Sequence, residues 1–284
     1  MAENLNKHLS KLSKRGPHRV MVGDLDYAGL PGKIYTPAEG TGLPAIAFGH
    51  DWMKDISKYH GTLRHLASWG IVVAAPNSEK RISPDHRGFA ADLESSLQIL
   101  AGVRLGTGNI TVSPHRLGLV GHGMGASAAI LAAAGRPNLA AVAALYPAQS
   151  TPPADAAASS VTAPGLVIGS EESPLFDFGN APKIASQWAG ECTYLEIDGA
   201  NHQSLSEDTF FKLATGLGGV KAAPRELIRG VLTGFLLHRL AGERQYSAFS
   251  DREAYAKKVH SFTGEELAEK ANVAGNPKVP FFGK

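Results

Sequence analysis

Six short apolar runs, separated by segments of helical periodicity, constrain the fold of this chain more than any other feature. The runs are AIAFG (45–49), IVVAAP (71–76), RLGLVG (116–121), AAVAALYP (140–147), GLVIG (165–169) and TYLEID (193–198). Several of them lack the strict alternation of a half-exposed strand, which predicts strands buried on both faces. The alternation of strand and helix predicts an α/β fold, with a mostly parallel central sheet covered by helices on both faces.

The segments between and around these runs complete the predicted organisation. Residues 24–37 predict a hairpin at the sheet edge, and residues 149–160 predict a loop. Helices are predicted at 206–216, at 224–241 and at 263–271, and the last of these begins with a capping box. The last ten residues, 275–284, are expected to be extended. No connection is long enough to form a separate lid domain.

The two ends of the chain differ in composition from its centre. We divide the sequence into a basic N-terminal segment with an edge strand (1–27), a main domain (28–249) and a helical extension with a tail (250–284). Within the first 19 residues there are five Lys or Arg and one Glu, and Leu5, Leu9 and Leu12 share a helical face. Such a helix can contact an anionic membrane or a partner. We expect instead a solvated helix or a frayed tail.

Composition excludes several classes of function. The net charge of +2 gives no support for nucleic-acid binding, and the single cysteine, Cys192, excludes an internal disulfide. The N-terminus lacks the apolar core of a secretory signal, and no run is long enough to span a membrane. Phosphate-binding glycine motifs and the H-E-x-x-H zinc motif are absent. We therefore expect a cytoplasmic protein with no cofactor and no metal.

The segment LGLVGHGMGAS (117–127) resembles the G-x-S-x-G turn that carries the nucleophile of serine hydrolases. It follows a predicted buried strand and precedes a helix of small residues, as that turn must. Its flanking glycines permit a tight turn and close packing of helix on strand. The central residue, however, is Gly123 and not serine.

The elbow and the segments around it resemble the α/β-hydrolases. The turn is similar to GHSMGG, and the chain resembles the bacterial cutinases and polyester hydrolases near the dienelactone hydrolases. The segments that carry this resemblance over roughly 28–249 include PAIAFGHDW (44–52), SPHRLGLVGHGMG (113–125), PGLVIGSEES (164–173) and YLEIDGANHQSLS (194–206). The resemblance implies an α/β-hydrolase fold and a site at the ends of these segments.

Carried over to this sequence, the resemblance implies a degenerate catalytic triad. The nucleophile position holds Gly123, the base is retained as His202, and the place of the acid holds Ser173. Either Glu171 or Glu172 can serve as the acid if the loop shifts by one residue, although the register argues against it. A serine hydrolase needs all three groups.

The remainder of the implied site is only partly preserved. The backbone amides of His50 and Met124 are the implied oxyanion donors, and Trp52 is a candidate to line the pocket. His50 and Ala148 stand where the family has aromatic residues. Because nucleophile, acid and aromatics are lost together, we favour natural loss of activity over an engineered Gly123.

Other polar residues near the elbow are weaker candidates for chemistry. Ser127, one helical turn past Gly123, is expected to face the helix packing, and His122 to pack beside the elbow. Asp51 is a candidate acid near the mouth of the pocket, but a helix or loop cap is the interpretation we favour.

The sequence thus predicts a catalytically inactive α/β-hydrolase-fold protein that acts in binding or regulation, comparable to the neuroligins. Its ligand is a small acyl or carboxylate compound in the pocket, or a protein partner that contacts residues 1–19 or 250–284. The alternative is a weakly active or inactivated carboxylic-ester hydrolase in which His202 activates water.

Overall fold

The computed structural model describes residues 5–170, 179–207 and 222–274. In this part of the chain, nine strands form one sheet in the order β1-β2-β4-β3-β5-β6-β7-β8-β9. The strands are β1 (Val20–Asp24), β2 (Gly32–Pro37), β3 (Gly40–Gly49), β4 (Val72–Pro76), β5 (Ile110–His122), β6 (Ala141–Leu145), β7 (Gly165–Gly169), β8 (Cys192–Ile197) and β9 (Val259–Ser261). The strands from β4 to β8 pair in parallel, and the outer pairings are antiparallel. The predicted α/β-hydrolase architecture is confirmed, as is the hairpin at the sheet edge.

Eight α-helices accompany these strands among the described residues. They are α1 (Asn6–Leu12), α2 (His60–Ser68), α3 (His86–Gly102), α4 (Met124–Ala133), α5 (Ala154–Ala158), α6 (Ala181–Ser186), α7 (Ala222–Arg239) and α8 (Gly264–Ala274). The loop predicted at 149–160 is wrong in part, because α5 lies within it. Most of the helix predicted at 206–216, and the whole tail 275–284, fall outside the described residues. None of the described helices is long and apolar enough to cross a membrane.

The two faces of the sheet bury separate apolar clusters. Strand β3 illustrates the division: Ile46 and Phe48 pack into the cluster that contains α1, α2 and α7. Ala45 and Ala47 pack into the other cluster, beneath α3 and α4. Because alternate side chains of a strand point to opposite faces, a strand with two covered faces has a continuous apolar sequence. This is why the six runs predicted the strands correctly.

Both ends of the described chain pack onto this core. The apolar face of α1, formed by Leu5, Leu9 and Leu12, is buried in the same cluster as α7. The prediction of a solvated helix or frayed tail is therefore wrong, because α7 covers the apolar face of α1. The sequence pattern of α1 alone could not show that α7 supplies this apolar partner. At the other end, β9 pairs with β8, and Lys270 on α8 forms an ion pair with Glu196 at 3.0 Å.

The order of the strands creates a crevice at the carboxyl end of the sheet. Strand β3 lies between β4 and β5, and the chain leaves β3 and β5 toward opposite sides. In open α/β sheets, such a switch point is where functional sites form. The residues that follow β3, β5 and β8 therefore meet at one edge.

Candidate active site

The turn between β5 and α4 has the geometry of a nucleophile elbow. Gly123 has φ 56° and ψ −119°, a conformation that residues with side chains rarely adopt. Its amide donates to the carbonyl of Leu145 at 3.0 Å, and its carbonyl accepts from the amide of Ala148 at 3.0 Å. At Gly125, any Cβ would overlap the backbone of Gly49, so glycine lets α4 begin against the end of β3. The elbow predicted from the sequence is present.

The carboxylate of Asp51, in the loop after β3, lies where the nucleophile side chain would be. A Cβ added to Gly123 would overlap Asp51 Oδ1 and would lie 2.9 Å from His202 Cε1. Asp51 Oδ1 accepts a hydrogen bond from the amide of Met124 at 3.0 Å, and Asp51 Oδ2 accepts one from His202 Nε2 at 2.7 Å. One side chain thus fills the missing nucleophile's space and engages both the base and an implied oxyanion donor.

The role favoured for Asp51 from the sequence was therefore incomplete. Asp51 does cap the first amide of α4, as a helix cap would. The pairing with His202 was missed, because nothing in the local sequence connects two residues 151 positions apart. The sequence did contain a signal for this pairing. The acidic residue Asp51 directly follows His50, the implied oxyanion residue, in a chain that has glycine at the nucleophile position.

A buried hydrogen-bond network holds Asp51 and His202 in place. The hydroxyl of Tyr59 accepts from the amide of Asp51 at 3.2 Å and donates to His122 Nδ1 at 2.8 Å. His122 Nε2 lies 2.8 Å from the carbonyl of His202. Because a carbonyl only accepts, His122 carries a proton on Nε2, and because Nδ1 accepts from Tyr59, the ring is neutral. His122 therefore packs beside the elbow, as predicted, and also links the loops after β3 and β8.

Burial and nearby charge set the protonation states of this network. Burial alone would raise the pKa of Asp51, but the hydrogen bonds from His202 and from the amide of Met124 hold it well below its usual range. Burial lowers the pKa of His122 to about 3, and the charge of His202 acts in the same direction. Burial raises the pKa of Tyr59 well above its usual value, and the charge of Asp51 adds to this. An ionised carboxylate thus lies beside a neutral imidazole and a neutral phenol.

The low pKa of His122 predicts a dependence of stability on pH. In the unfolded chain, His122 takes up a proton below about pH 6.5, the ordinary pKa of histidine. In the folded protein it is protonated only when the pH falls to about 3. The free energy of unfolding should therefore fall by several kcal/mol as the pH drops through this window. Urea unfolding of the wild type and of His122→Gln at pH 7, 6, 5 and 4 checks this, and the variant should lose less stability per pH unit. Parallel curves for the two proteins would contradict it.

The other residues implied by the family resemblance take different positions. His50 is fully buried, its Nδ1 donates to the carbonyl of Asp51 at 2.9 Å, and its ring packs on Phe89 at 4.8 Å between centroids. Trp52 is 42% exposed and donates from Nε1 to the carbonyl of Ile82 at 3.1 Å, which links the loops after β3 and β4.

The remaining implied residues lie close to the elbow or outside the described chain. Ser127 is buried and donates from Oγ to the carbonyl of Ala148, in agreement with the packing role expected for it. Ala148 contributes its backbone to the elbow and no side-chain chemistry. Ser173, Glu171 and Glu172 lie outside the described residues, so the loss of the acid stays a prediction.

One group of side chains in the described part of the chain has the composition of a metal site. Ligand atoms of Asp51, His122 and His202 lie within 4.8 Å of one another. Both nitrogens of His122 already form hydrogen bonds, one with Tyr59 and one with the carbonyl of His202. A cation would have to break these bonds. The cluster is therefore better described as a hydrogen-bond network, and the expected absence of a metal stays a prediction.

Comparison with known proteins supports the same fold. The family model described as PET hydrolase-like matches residues 10–214. The chain is 27% identical over 180 residues to Cutinase 1 of Thermobifida cellulosilytica, a match that covers 60% of this chain and 64% of that protein. It is equally similar to Cutinase est2 of Thermobifida alba and to the cutinase of Thermobifida fusca (strain YX), in each case over 56% of the relative. The match thus spans less than two thirds of these relatives.

The family model covers most of the chain, and it includes Asp51, Gly123 and His202. The parallel strands β3 to β8, the elbow after β5 and His202 after β8 all lie within the matched residues. The chain belongs to the PET hydrolase-like family, within the α/β-hydrolase superfamily.

Proposed function

We propose that this protein is a catalytically inactive member of the PET hydrolase-like family that acts in binding or regulation. The observation that carries the proposal is the position of Asp51, whose carboxylate fills the space of the nucleophile side chain. Because Gly123 offers no side chain, the enzyme-bound ester of a serine hydrolase has no atom on which to form.

The contacts of Asp51 oppose the remaining steps of ester hydrolysis. In a serine hydrolase, the histidine nitrogen next to the nucleophile accepts the proton of the hydroxyl. Here that nitrogen, Nε2 of His202, donates to Asp51 Oδ2. The amide of Met124, which would stabilise an oxyanion, donates to Asp51 Oδ1. The ionised carboxylate also places negative charge where an oxyanion would develop, which raises the energy of that transition state.

The alternative, a weakly active ester hydrolase, requires His202 to activate water. That reaction needs the Nε2 lone pair, which the hydrogen bond to Asp51 makes inaccessible. Even with His202 released, binding and the oxyanion donors alone would give at most about 10³–10⁴-fold acceleration over water. The geometry therefore favours an inactive protein.

The carboxylate of Asp51 also limits which ligands can bind in the pocket. A small acyl or carboxylate ligand placed between His50, Gly123 and His202 would compete with Asp51 for the Met124 amide. A carboxylate ligand would in addition be repelled by the charge of Asp51. Binding in this pocket requires Asp51 to move aside. A contact with a protein partner has no such cost, so we favour a surface interaction over a ligand in the pocket.

Hydrolysis of short p-nitrophenyl esters and labelling by a fluorophosphonate probe test the inactivity. We expect neither turnover nor labelling for the wild type. Gly123→Ser alone should be labelled poorly, because Asp51 Oδ1 overlaps the position of the new side chain. The double variant Gly123→Ser/Asp51→Gly should be labelled faster, because the hydroxyl then reaches His202.

Two outcomes would contradict the proposal. Wild-type turnover that disappears in His202→Ala would establish an active hydrolase. Equal labelling of Gly123→Ser and of the double variant would show that Asp51 does not block the nucleophile position. Circular dichroism of each variant separates loss of labelling from loss of folding.

A further inference from the structure

A basic recess lies at the opposite end of the sheet from the elbow. Its lining includes Lys7, Lys11, Lys14, Arg15 and Trp69, and its volume is about 700 Å³. Trp69 follows α2 and lies just before β4, at the amino end of the parallel strands. The elbow follows β5, at the carboxyl end. The recess is therefore separate from the Asp51 site, and an inference about it does not depend on the proposed function.

The backbone around the recess is fixed by packing and hydrogen bonds. The apolar face of α1 is buried against α7, so this helix cannot rotate or detach without exposing its leucines. The indole of Trp69 donates to the carbonyl of Lys14 at 3.0 Å. The amide of Gly16 donates to Ser68 Oγ at 2.8 Å, and a Cβ at Gly16 would overlap the carbonyl of Ser68. The positive side chains therefore project from a rigid support.

The positive charges of the recess are concentrated, and no described acidic residue pairs with them. Lys7 and Lys11 lie one helical turn apart on α1, and Lys14 and Arg15, just after the helix, add two further charges. Each of these four side chains is exposed, and none forms an ion pair within the described part of the chain. The described residues that line the recess include no Asp or Glu. The net charge of the whole chain is only +2, so the remainder of the protein is net negative.

We propose that this recess binds a ligand that carries two or more phosphate groups. Four cations within one recess exceed what a single carboxylate can neutralise, whereas phosphate groups carry more charge and offer more acceptor oxygens to Lys and Arg. The ring of Trp69, with Lys11 Nζ 5.8 Å from its centroid, offers an apolar surface beside these charges. The phosphates can belong to a soluble compound or to a lipid headgroup.

The buried leucines of α1 define how a lipid would be held. A membrane-surface helix inserts its apolar face among the acyl chains, but Leu5, Leu9 and Leu12 are already packed inside the protein. A lipid would therefore be bound by its headgroup alone. Such headgroup binding differs from the amphipathic membrane contact that the sequence allowed, in which the leucines of α1 would enter the membrane.

The test uses the full chain and two probes at low salt. Tripolyphosphate is titrated by calorimetry, and flotation is measured with phosphatidylcholine vesicles that contain a phosphatidylinositol bisphosphate. The triple variant Lys7→Gln/Lys11→Gln/Lys14→Gln removes the recess charges. The matched control, Arg252→Gln/Lys257→Gln/Lys258→Gln, removes the same charge from exposed side chains elsewhere on the chain.

We expect the recess variant to weaken binding by at least about tenfold and the control by less than about twofold. Binding of tripolyphosphate points to a soluble ligand, and binding of the vesicles alone points to a lipid headgroup. Equal weakening in the two triple variants, binding of neither probe, or binding of a polyglutamate peptide as tight as that of tripolyphosphate would overturn the proposal. Melting temperatures of both variants verify that they fold.

Discussion

Substitution of Gly123 by alanine should lower the free energy of unfolding by about 3–5 kcal/mol, a larger effect than a change of one methyl group usually has. Two costs contribute. Gly123 has φ 56°, where any side chain is strained, and its Cβ would overlap Asp51 Oδ1. Active serine hydrolases tolerate the first cost at this turn, but here the second is added. Urea unfolding of the wild type and the variant at pH 7 measures the sum.

A control variant and a double variant separate the two costs. Gly42 has φ 62°, and apart from Gly42 and its two chain neighbours no atom lies within 4 Å of the position that a Cβ would take. Gly42→Ala should therefore cost only the backbone strain, about 1–2 kcal/mol. In Gly123→Ala/Asp51→Gly the overlap is absent. The two single changes should therefore be strongly non-additive. Additive free energies would show that Asp51 is not held against the elbow.

Substitution of Asp51 by alanine should lower the free energy of unfolding by about 3–5 kcal/mol at pH 7, because it leaves two buried hydrogen-bond donors without their acceptor. The change leaves His202 Nε2 and the amide of Met124 without the acceptor that both now use. The matched control is Asp24→Ala, which breaks an exposed pair with Lys33 and should cost at most about 1 kcal/mol. Equal losses in the two variants would contradict a buried, ionised Asp51.

The effect of Asp51 should disappear in acid. The folded-state pKa of Asp51 lies below its ordinary value of 3.8, so its stabilisation is fully present above that pH. It is lost as the pH falls from about 4 through the folded-state pKa, because the unfolded chain takes up the proton first. The difference in unfolding free energy between wild type and Asp51→Ala should therefore narrow below about pH 4. A constant difference down to about pH 2 would mean that the carboxylate is not stabilised in the folded protein.

The strands and the elbow were predictable because their signals are local. The run AIAFG predicts a strand covered on both faces, and the structure places Ala45 and Ile46 in different apolar clusters. The turn at Gly123 was predictable for the same reason, since its neighbouring glycines reveal close packing within a few residues. The burial of Leu5, Leu9 and Leu12 was not predictable, because a helical face is buried only if an element distant in the sequence offers a matching apolar surface.

The sequence by itself determined the order of strands and helices, the elbow, and the absence of any side chain at the nucleophile position. Only the tertiary structure decided what takes the place of that side chain. Asp51 lies 73 residues from Met124 and 151 residues from His202 in the chain, yet its carboxylate binds both. Glycine leaves a space, but hydrogen bonds of about 3 Å depend on how β3, β5 and β8 end side by side. That arrangement follows from the packing of the whole sheet, and no local pattern encodes it.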